Sequence, residues 1–187
     1  MSGKKSLNTK QSIEWILDGK ILAHPTEAIW GLGCNALNES SYKNLFKLKN
    51  RDENKNFILL ANSLKLVKEF TVPLAKQDET LLNNTWPGPV TFLIKYKDSI
   101  PIHLKNSTGK LAFRVSNHYP IKTLLKGFNG LMVSTSANIS GEEVINEPSL
   151  IIKNFANDNL AYYDEILGDE AKPSTIIDLH SKEIIRP

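Results

Sequence analysis

Four basic side chains, Lys47, Lys49, Arg51 and Lys55, fall within nine residues of the stretch LFKLKNRDENKNF (45–57), and Lys43 lies just upstream. In a chain whose formal net charge is only +3, that density suits an anion. Arg offers a planar fork matched to phosphate oxygens, and Lys a mobile point charge. The competing reading is a solvated charged turn in which Asp52 and Glu53 satisfy their neighbours. A second segment strengthens the anion reading. LMVSTSANISG (131–141) runs an apolar strand pattern straight into Ser134, Thr135, Ser136, Asn138 and Ser140. Small polar side chains massed at a strand end form a dense set of neutral donors and acceptors; their ordinary alternative use is to cap a turn.

Other chemistries fit poorly. No G-x-S-x-G surrounds Ser136, and STGK (107–110) meets S-x-x-K without its companion motifs, which argues against a serine hydrolase. GLGCNA (31–36) has the G-x-G-x-x-A form of a dinucleotide fingerprint, but Pro25 interrupts the segment before it. The next helix also starts near Asn38 or Glu39, beyond the glycines that would have to hold the phosphate. TGK (108–110) lacks the first glycine and the Ser/Thr of a P-loop. The four histidines are far apart with no metal-ligand spacing, and the single cysteine, Cys34, permits no internal disulfide and reads as a small buried hydrophobe.

The elements that must position the two polar segments follow from periodicity. Lys49 and Arg51 cannot share a helix face, because residues two apart point about 200° away from one another. They converge only if the helix of ESSYKNLFKLK (39–49) ends near Lys49 and the chain turns through NRDENKN into the apolar run FILLA (57–61). That places the basic cluster in a helix-to-strand loop, a common seat for function. Further helices are expected at 9–20, Leu64–Phe70, Asp78–Asn84, Tyr119–Lys126 and Pro148–Phe155. Strands are expected in KILAH, VTFLIKY, LAFRV, LMVST, STIIDL and EIIR. WPGP (86–89) reads as a rigid turn without chemistry of its own. The mixture indicates an α/β (α+β) fold around a twisted sheet with parallel and antiparallel pairs, as a single domain over 1–187.

Composition is that of an ordinary globular protein, 41% apolar and 23% charged. The basic lean is too mild to name nucleic acid as a partner. The N-terminus lacks the apolar core of a signal peptide, and no apolar run nears the ~20 residues of a membrane span, so a cytoplasmic location is expected.

Five segments in order, AHPTEAIWGLGCNA, LFKLKNRDENKNFILLA, TWPGPVTFLI, LAFRVSNHYP and LMVSTSANISG, resemble the YrdC-like threonylcarbamoyl-AMP synthases of the short single-domain TsaC type, from about Lys20 through Arg186. The hallmark is K-x-R (Lys49–Arg51) followed far downstream by S-x-N (Ser136–Asn138). The resemblance implies an enzyme that joins L-threonine, bicarbonate or CO2, and ATP into threonylcarbamoyl adenylate with release of pyrophosphate. That product feeds threonylcarbamoylation of adenosine 37 in ANN-decoding tRNAs by partner transfer proteins. It implies a concave, positively lined groove, with Lys49 and Arg51 catalytic. Lys49, Arg51, Lys55, Ser136, Asn138 and Arg186 would bind ATP, with Mg2+ carried mainly by the phosphates. Thr26, Arg114, Ser134 and Ser174 would bind threonine. A guanidinium in an apolar strand needs a carboxylate, and for Arg114 this is either threonine's own or an internal Asp or Glu. Ala28, Asp52 and Leu60 stand where many members carry threonine, proline and, in some, histidine. An alternative within the same fold is a module that binds double-stranded RNA or tRNA without making the adenylate, and another is the carbamoyl-adenylate site of the hydrogenase-maturation relatives.

Overall fold

The structure, a computed structural model, describes residues 5–52, 55–170 and 172–187. Asn8 opens the first helix with a reciprocal capping box, its side chain taking the Gln11 backbone N–H while the Gln11 side chain takes that of Asn8. In chain order the elements are β1 (Ser6–Leu7), α1 (Thr9–Leu17), β2 (Ile21–His24), β3 (Gly31–Gly33), α2 (Glu39–Leu48), β4 (Ile58–Leu60), α3 (Leu64–Phe70), α4 (Lys76–Thr85), β5 (Val90–Lys95), β6 (Lys110–Arg114), α5 (Tyr119–Phe128), β7 (Met132–Ser136), α6 (Pro148–Phe155), β8 (Leu160–Tyr163), β9 (Thr175–Asp178) and β10 (Ile184–Arg186), with a short 3-10 turn at Ile102–Leu104.

Among the described residues the strands form one mixed sheet in the order β1-β8-β2-β3-β7-β4-β6-β5-β9-β10. The pairs β1/β8, β2/β8, β4/β6 and β5/β9 are parallel; β2/β3, β3/β7, β4/β7, β5/β6 and β9/β10 are antiparallel. Side chains alternate between faces along a strand, and here each face has its own core. Leu22, Leu60 and Met132 go to one, packed with Ile16 of α1 and Ile121, Leu124 and Leu125 of α5. Their neighbours Ile21, Ala23, Leu59 and Val133 go to the other, with Leu45 and Phe46 of α2, Val67 of α3 and Leu82 of α4. Strands covered on both faces read as continuous apolar runs.

The glycines of GLGCNA have a packing explanation. His24 is fully buried, and the registers pair it with Gly31 and Leu22 with Gly33 across β2 and β3. A Cβ at Gly31 would lie 2.8 Å from His24 Cε1, and one at Gly33 2.5 Å from the Val133 carbonyl and 3.1 Å from the His24 ring. The pattern that mimics a dinucleotide fingerprint makes room for an imidazole inside a hairpin. No helix among the described residues is long and apolar enough to cross a membrane.

Candidate active site

The turn after α2 is built by its last residues. Lys49 is the C-cap, Asn50 takes the left-handed conformation (φ 47°), and the Asn50 and Arg51 amides donate to the carbonyls of Lys47 and Phe46 at 3.1 and 3.0 Å. This is a Schellman closure with asparagine in the position that needs positive φ. It reverses the chain so that Lys49 and Arg51, one on each side of Asn50, diverge, Lys49 toward the end of β7.

Lys49 reaches it from behind. The side chain is 1% exposed, and its ammonium donates to the Ser136 carbonyl at 2.5 Å, the Asn138 carbonyl at 2.6 Å and Asn138 Oδ1 at 3.3 Å. All three N–H bonds are therefore committed to the S-x-N turn. The Ser140 amide returns the contact to the Lys49 carbonyl at 2.9 Å, and Ser136 Oγ donates to Asn138 Oδ1 at 2.5 Å. Burial, and then the neighbouring Arg51 charge, push Lys49 down to about 8. Arg51 lies on the open side. Its Nε and Nη2 donate to the carbonyls of Lys55 and Asn56 at 3.0 and 3.1 Å, and its guanidinium stands 5.2 Å over the Phe57 ring.

Between these elements is a hollow of about 350 Å3. Its wall takes Thr26, Glu27 and Ile29 from the β2–β3 connection, Arg51 and Asn56 from the α2–β4 loop, and Arg114 from the end of β6. Ser134, Thr135 and Ser136 come from β7, Ser174 from the approach to β9, and Arg186 from β10. Of the residues expected from sequence, Thr26, Arg51, Arg114, Ser134, Ser136, Ser174 and Arg186 line this space, whereas Lys49, Asn138 and Lys55 do not. Lys49 and Asn138 are occupied with each other, and Lys55, exposed, meets Arg51 through its backbone carbonyl.

Arg114 has an internal carboxylate, the second of the two alternatives its sequence context allowed. Its Nη2 pairs with Glu27 Oε1 at 2.5 Å and its Nε donates to the Gly88 carbonyl at 3.1 Å, with the side chain 9% exposed. Burial lowers the Arg114 proton affinity and the Glu27 carboxylate opposes that. Thr26 Oγ1 donates to the Ile29 carbonyl at 2.7 Å and so shapes its own turn. Arg186 donates through Nε and Nη2 to the Ser174 carbonyl at 3.1 and 2.6 Å, and Ser174 Oγ lies 2.9 Å from Thr91 Oγ1. No hydrogen bond among the described residues engages the side-chain hydroxyls of Ser134 or Thr135, which leaves two polar groups on the wall for a ligand.

Sequence reasoning missed Glu27 and Asn56, and it placed Thr135 in the hydroxyl-rich strand end without giving it a ligand of its own. Glu27 follows Pro25 and Thr26 in a turn, where a carboxylate reads as solvated; its partner is 87 positions away and no local pattern marks the pairing. No group of three or more His, Cys, Asp or Glu side chains among the described residues is arranged to hold a metal.

Comparison with known proteins gives this geometry a family. The Sua5/YciO/YrdC family model, described as telomere recombination, matches residues 14–187. The chain belongs to the Sua5/YciO/YrdC family. Relatives in the family include a threonylcarbamoyl-AMP synthase of Saccharophagus degradans, 35% identical over 176 residues that cover 94% of this chain and 92% of the relative. Another, from Buchnera aphidicola subsp. Schizaphis graminum, is 36% identical over 93% and 92% of the two chains. Among family members of known structure, P. abyssi Sua5 complexed with L-threonine superposes with a TM-score of 0.82 at 26% identity, over 91% of this chain and 50% of that one. This chain therefore spans about half the length of that Sua5. E. coli YciO shares the fold at a TM-score of 0.84 and 23% identity, over 100% of this chain and 95% of that one.

Proposed function

We propose that this protein is a threonylcarbamoyl-AMP synthase working as a single domain, making L-threonylcarbamoyl adenylate from L-threonine, bicarbonate or CO2, and ATP. The observation that carries the reading is the convergence of Arg51, Ser136, Arg114 and Arg186 on one hollow, in a chain whose relatives bear that name over nearly their full length. The amine of threonine adds to CO2, a carbamate oxygen attacks the α-phosphate, and pyrophosphate leaves. Both nucleophile and leaving group belong to the substrates. The protein has to position them and stabilise the charge that gathers on the phosphoryl oxygens.

Arg51 and Arg186 are the phosphate-side cations, and Ser136 offers a hydroxyl on the same wall. Lys49 holds the S-x-N turn in shape and adds a positive charge directly behind it, with Asn138 as the other half of that brace. Lys55 acts through the carbonyl that aims Arg51. On the amino-acid side, Arg114 takes the carboxylate, while Ser134, Ser174 and Thr26 line the space around it. Mg2+ enters as a companion of ATP: the only carboxylate on the hollow's described wall, Glu27, is already held by Arg114 and Ser116, so the metal would be carried by phosphate oxygens. The product is handed to threonylcarbamoyl-transfer proteins that act on tRNA.

The test is release of pyrophosphate from ATP and Mg2+, dependent on both L-threonine and bicarbonate. Arg51→Ala lowers the rate by orders of magnitude, and Lys10→Ala, on the exposed side of α1, leaves it unchanged. Equal rates in the two variants refute the placement of the site.

A further inference from the structure

Arg114 is gripped by two partners, one in WPGP, read from sequence as a turn without chemistry of its own, and the other in Glu27, next to Thr26. Nε donates to the carbonyl of Gly88, in the middle of WPGP, at 3.1 Å. The Gly88 amide donates to the Val115 carbonyl at 2.9 Å, so the turn that carries this acceptor is tied to the residue next to Arg114. A Cβ at Gly88 would run into the Thr85 carbonyl, which fixes glycine at this position. On the other side, Glu27 Oε1 accepts from Arg114 Nη2 at 2.5 Å and from Ser116 Oγ at 2.7 Å. Ser116 Oγ in turn accepts from the His118 amide at 3.1 Å, which anchors the serine.

The two grips use one edge of the guanidinium and leave the other. Nη1 takes part in no hydrogen bond among the described residues, and it is not among their sealed unpartnered atoms, which are Ser12 Oγ, His24 Nε2, Glu27 Oε2 and Thr71 Oγ1. Arg114 lines the hollow, and Nη1 is the guanidinium nitrogen that no described residue engages. A buried arginine whose one edge is fixed by a carbonyl and a carboxylate has its remaining donors pre-aimed, which lowers the ordering cost that binding would otherwise carry.

We infer that Glu27, braced by Ser116 and opposed by the Gly88 carbonyl, is a positioning residue that presents the free Nη1 edge of Arg114 to the substrate carboxylate. The inference rests on the reading of Arg114 as the threonine carboxylate site and names what sets its geometry. Glu27 also opposes binding in one respect, since its charge already neutralises Arg114 and repels a second carboxylate. If orientation dominates, an uncharged oxygen in the same place suffices. If holding the guanidinium requires the ion pair itself, it does not.

Steady-state pyrophosphate release separates these. In Glu27→Ala the KM for threonine rises about tenfold or more, the equivalent of ~1.4 kcal/mol of lost binding, with the KM for ATP within about twofold of wild type. Glu27→Gln retains an oxygen at the Oε1 position and restores the threonine KM to within about threefold. A purely structural role would move both KM values and the melting temperature together. Overturning results are a Glu27→Gln variant as impaired as Glu27→Ala, a Glu27→Ala variant with unchanged threonine KM, or equal rises in both KM values. Where Glu27→Ala does not fold, Ser116→Ala decides: a several-fold rise confined to threonine supports the brace, and a wild-type threonine KM overturns it. Wild-type enzyme that releases no threonine-dependent pyrophosphate would instead sink the proposed function.

Discussion

Lys49→Met sets the largest forces at the site against each other. The substitution keeps most of the length of the side chain, one heavy atom short, and deletes the ammonium. It strands the Asn138 carbonyl, now bonded at 2.6 Å, while the Ser136 carbonyl keeps the Asn138 amide at 3.0 Å and Asn138 Oδ1 keeps the Ser136 hydroxyl. An unpaired carbonyl costs about 1–3 kcal/mol. Against that stands the relief of desolvation. Burial holds Lys49 down to about 8 from 10.5, a penalty of about 3 kcal/mol at ~1.4 kcal/mol for each unit. The two nearly cancel, so the variant should fold with a stability loss no greater than about 3 kcal/mol. Activity has no such offset, because both the brace and the charge behind the phosphates are gone. Pyrophosphate release should fall about a hundredfold or more, on the order of 3 kcal/mol in the barrier. Urea unfolding followed by tryptophan fluorescence, with pyrophosphate release on the same sample, reads both quantities. Wild-type activity in Lys49→Met, or a loss that merely tracks the unfolded fraction, would refute the reasoning.

Lys49 also predicts opposite pH trends. Its folded proton affinity lies below the unfolded one, so between about 8 and 10.5 the unfolded chain holds more protons and this group's contribution to stability rises with pH. On the proposed role of the ammonium, activity should decline over the same interval, and Lys49→Met should flatten the stability slope measured by urea unfolding. His24, held neutral by burial at about 4 instead of 6.5, acts at the acid end: below about 6.5 the unfolded chain gains the proton first, and stability is lost as pH falls toward 4, by up to about 3 kcal/mol. His24→Phe should remove that component from a pH series of urea midpoints. Arg114→Leu should destabilise by about 3–5 kcal/mol because it strands the Glu27 carboxylate, and Arg114→Leu with Glu27→Leu should recover much of this in thermal unfolding without restoring threonine use. Gly33→Ala should lower stability by about 1–3 kcal/mol, since its Cβ would come 2.5 Å from the Val133 carbonyl and the hairpin has no room to yield.

Much of the fold was legible in local pattern. The end of the second helix was read at Lys49, and α2 runs Glu39–Leu48 with Lys49 as its cap; the helices at Leu64–Phe70 and Pro148–Phe155 match at both ends. α4 is longer than its polar sequence suggests, Lys76–Thr85 against Asp78–Asn84, because only Leu82 of that helix is deeply buried and its ends carry no apolar signal. β1, β3 and β8 went unread. β1 is two residues long, β3 is Gly-Leu-Gly, and β8 (LAYY) is four residues without a β-branched side chain. Two glycines argue against a strand until one sees the imidazole of His24 they accommodate.

The site divides along the same line. Residue type and spacing singled out Arg51, Ser136 and Arg114, all of which line the hollow, because each breaks a local rule: a charge after a helix stop, hydroxyls at a strand end, a guanidinium among apolar neighbours. They could not show that Lys49 faces the back of the S-x-N turn instead of the hollow, since that depends on a Schellman closure and a contact across 87 residues. Glu27 and the Gly88 carbonyl were invisible for the same reason; one is a carboxylate in a turn and the other has no side chain.

The central claim is that one hollow holds threonine and ATP together and joins them through CO2. The most direct measurement is mass spectrometry of the product formed from ATP, Mg2+, L-threonine and isotopically labelled bicarbonate. The account predicts threonylcarbamoyl adenylate carrying the label, formed in step with pyrophosphate and absent when threonine is omitted. Nucleotide cleavage that ignores threonine, or an adenylate without the labelled carbon, would contradict it.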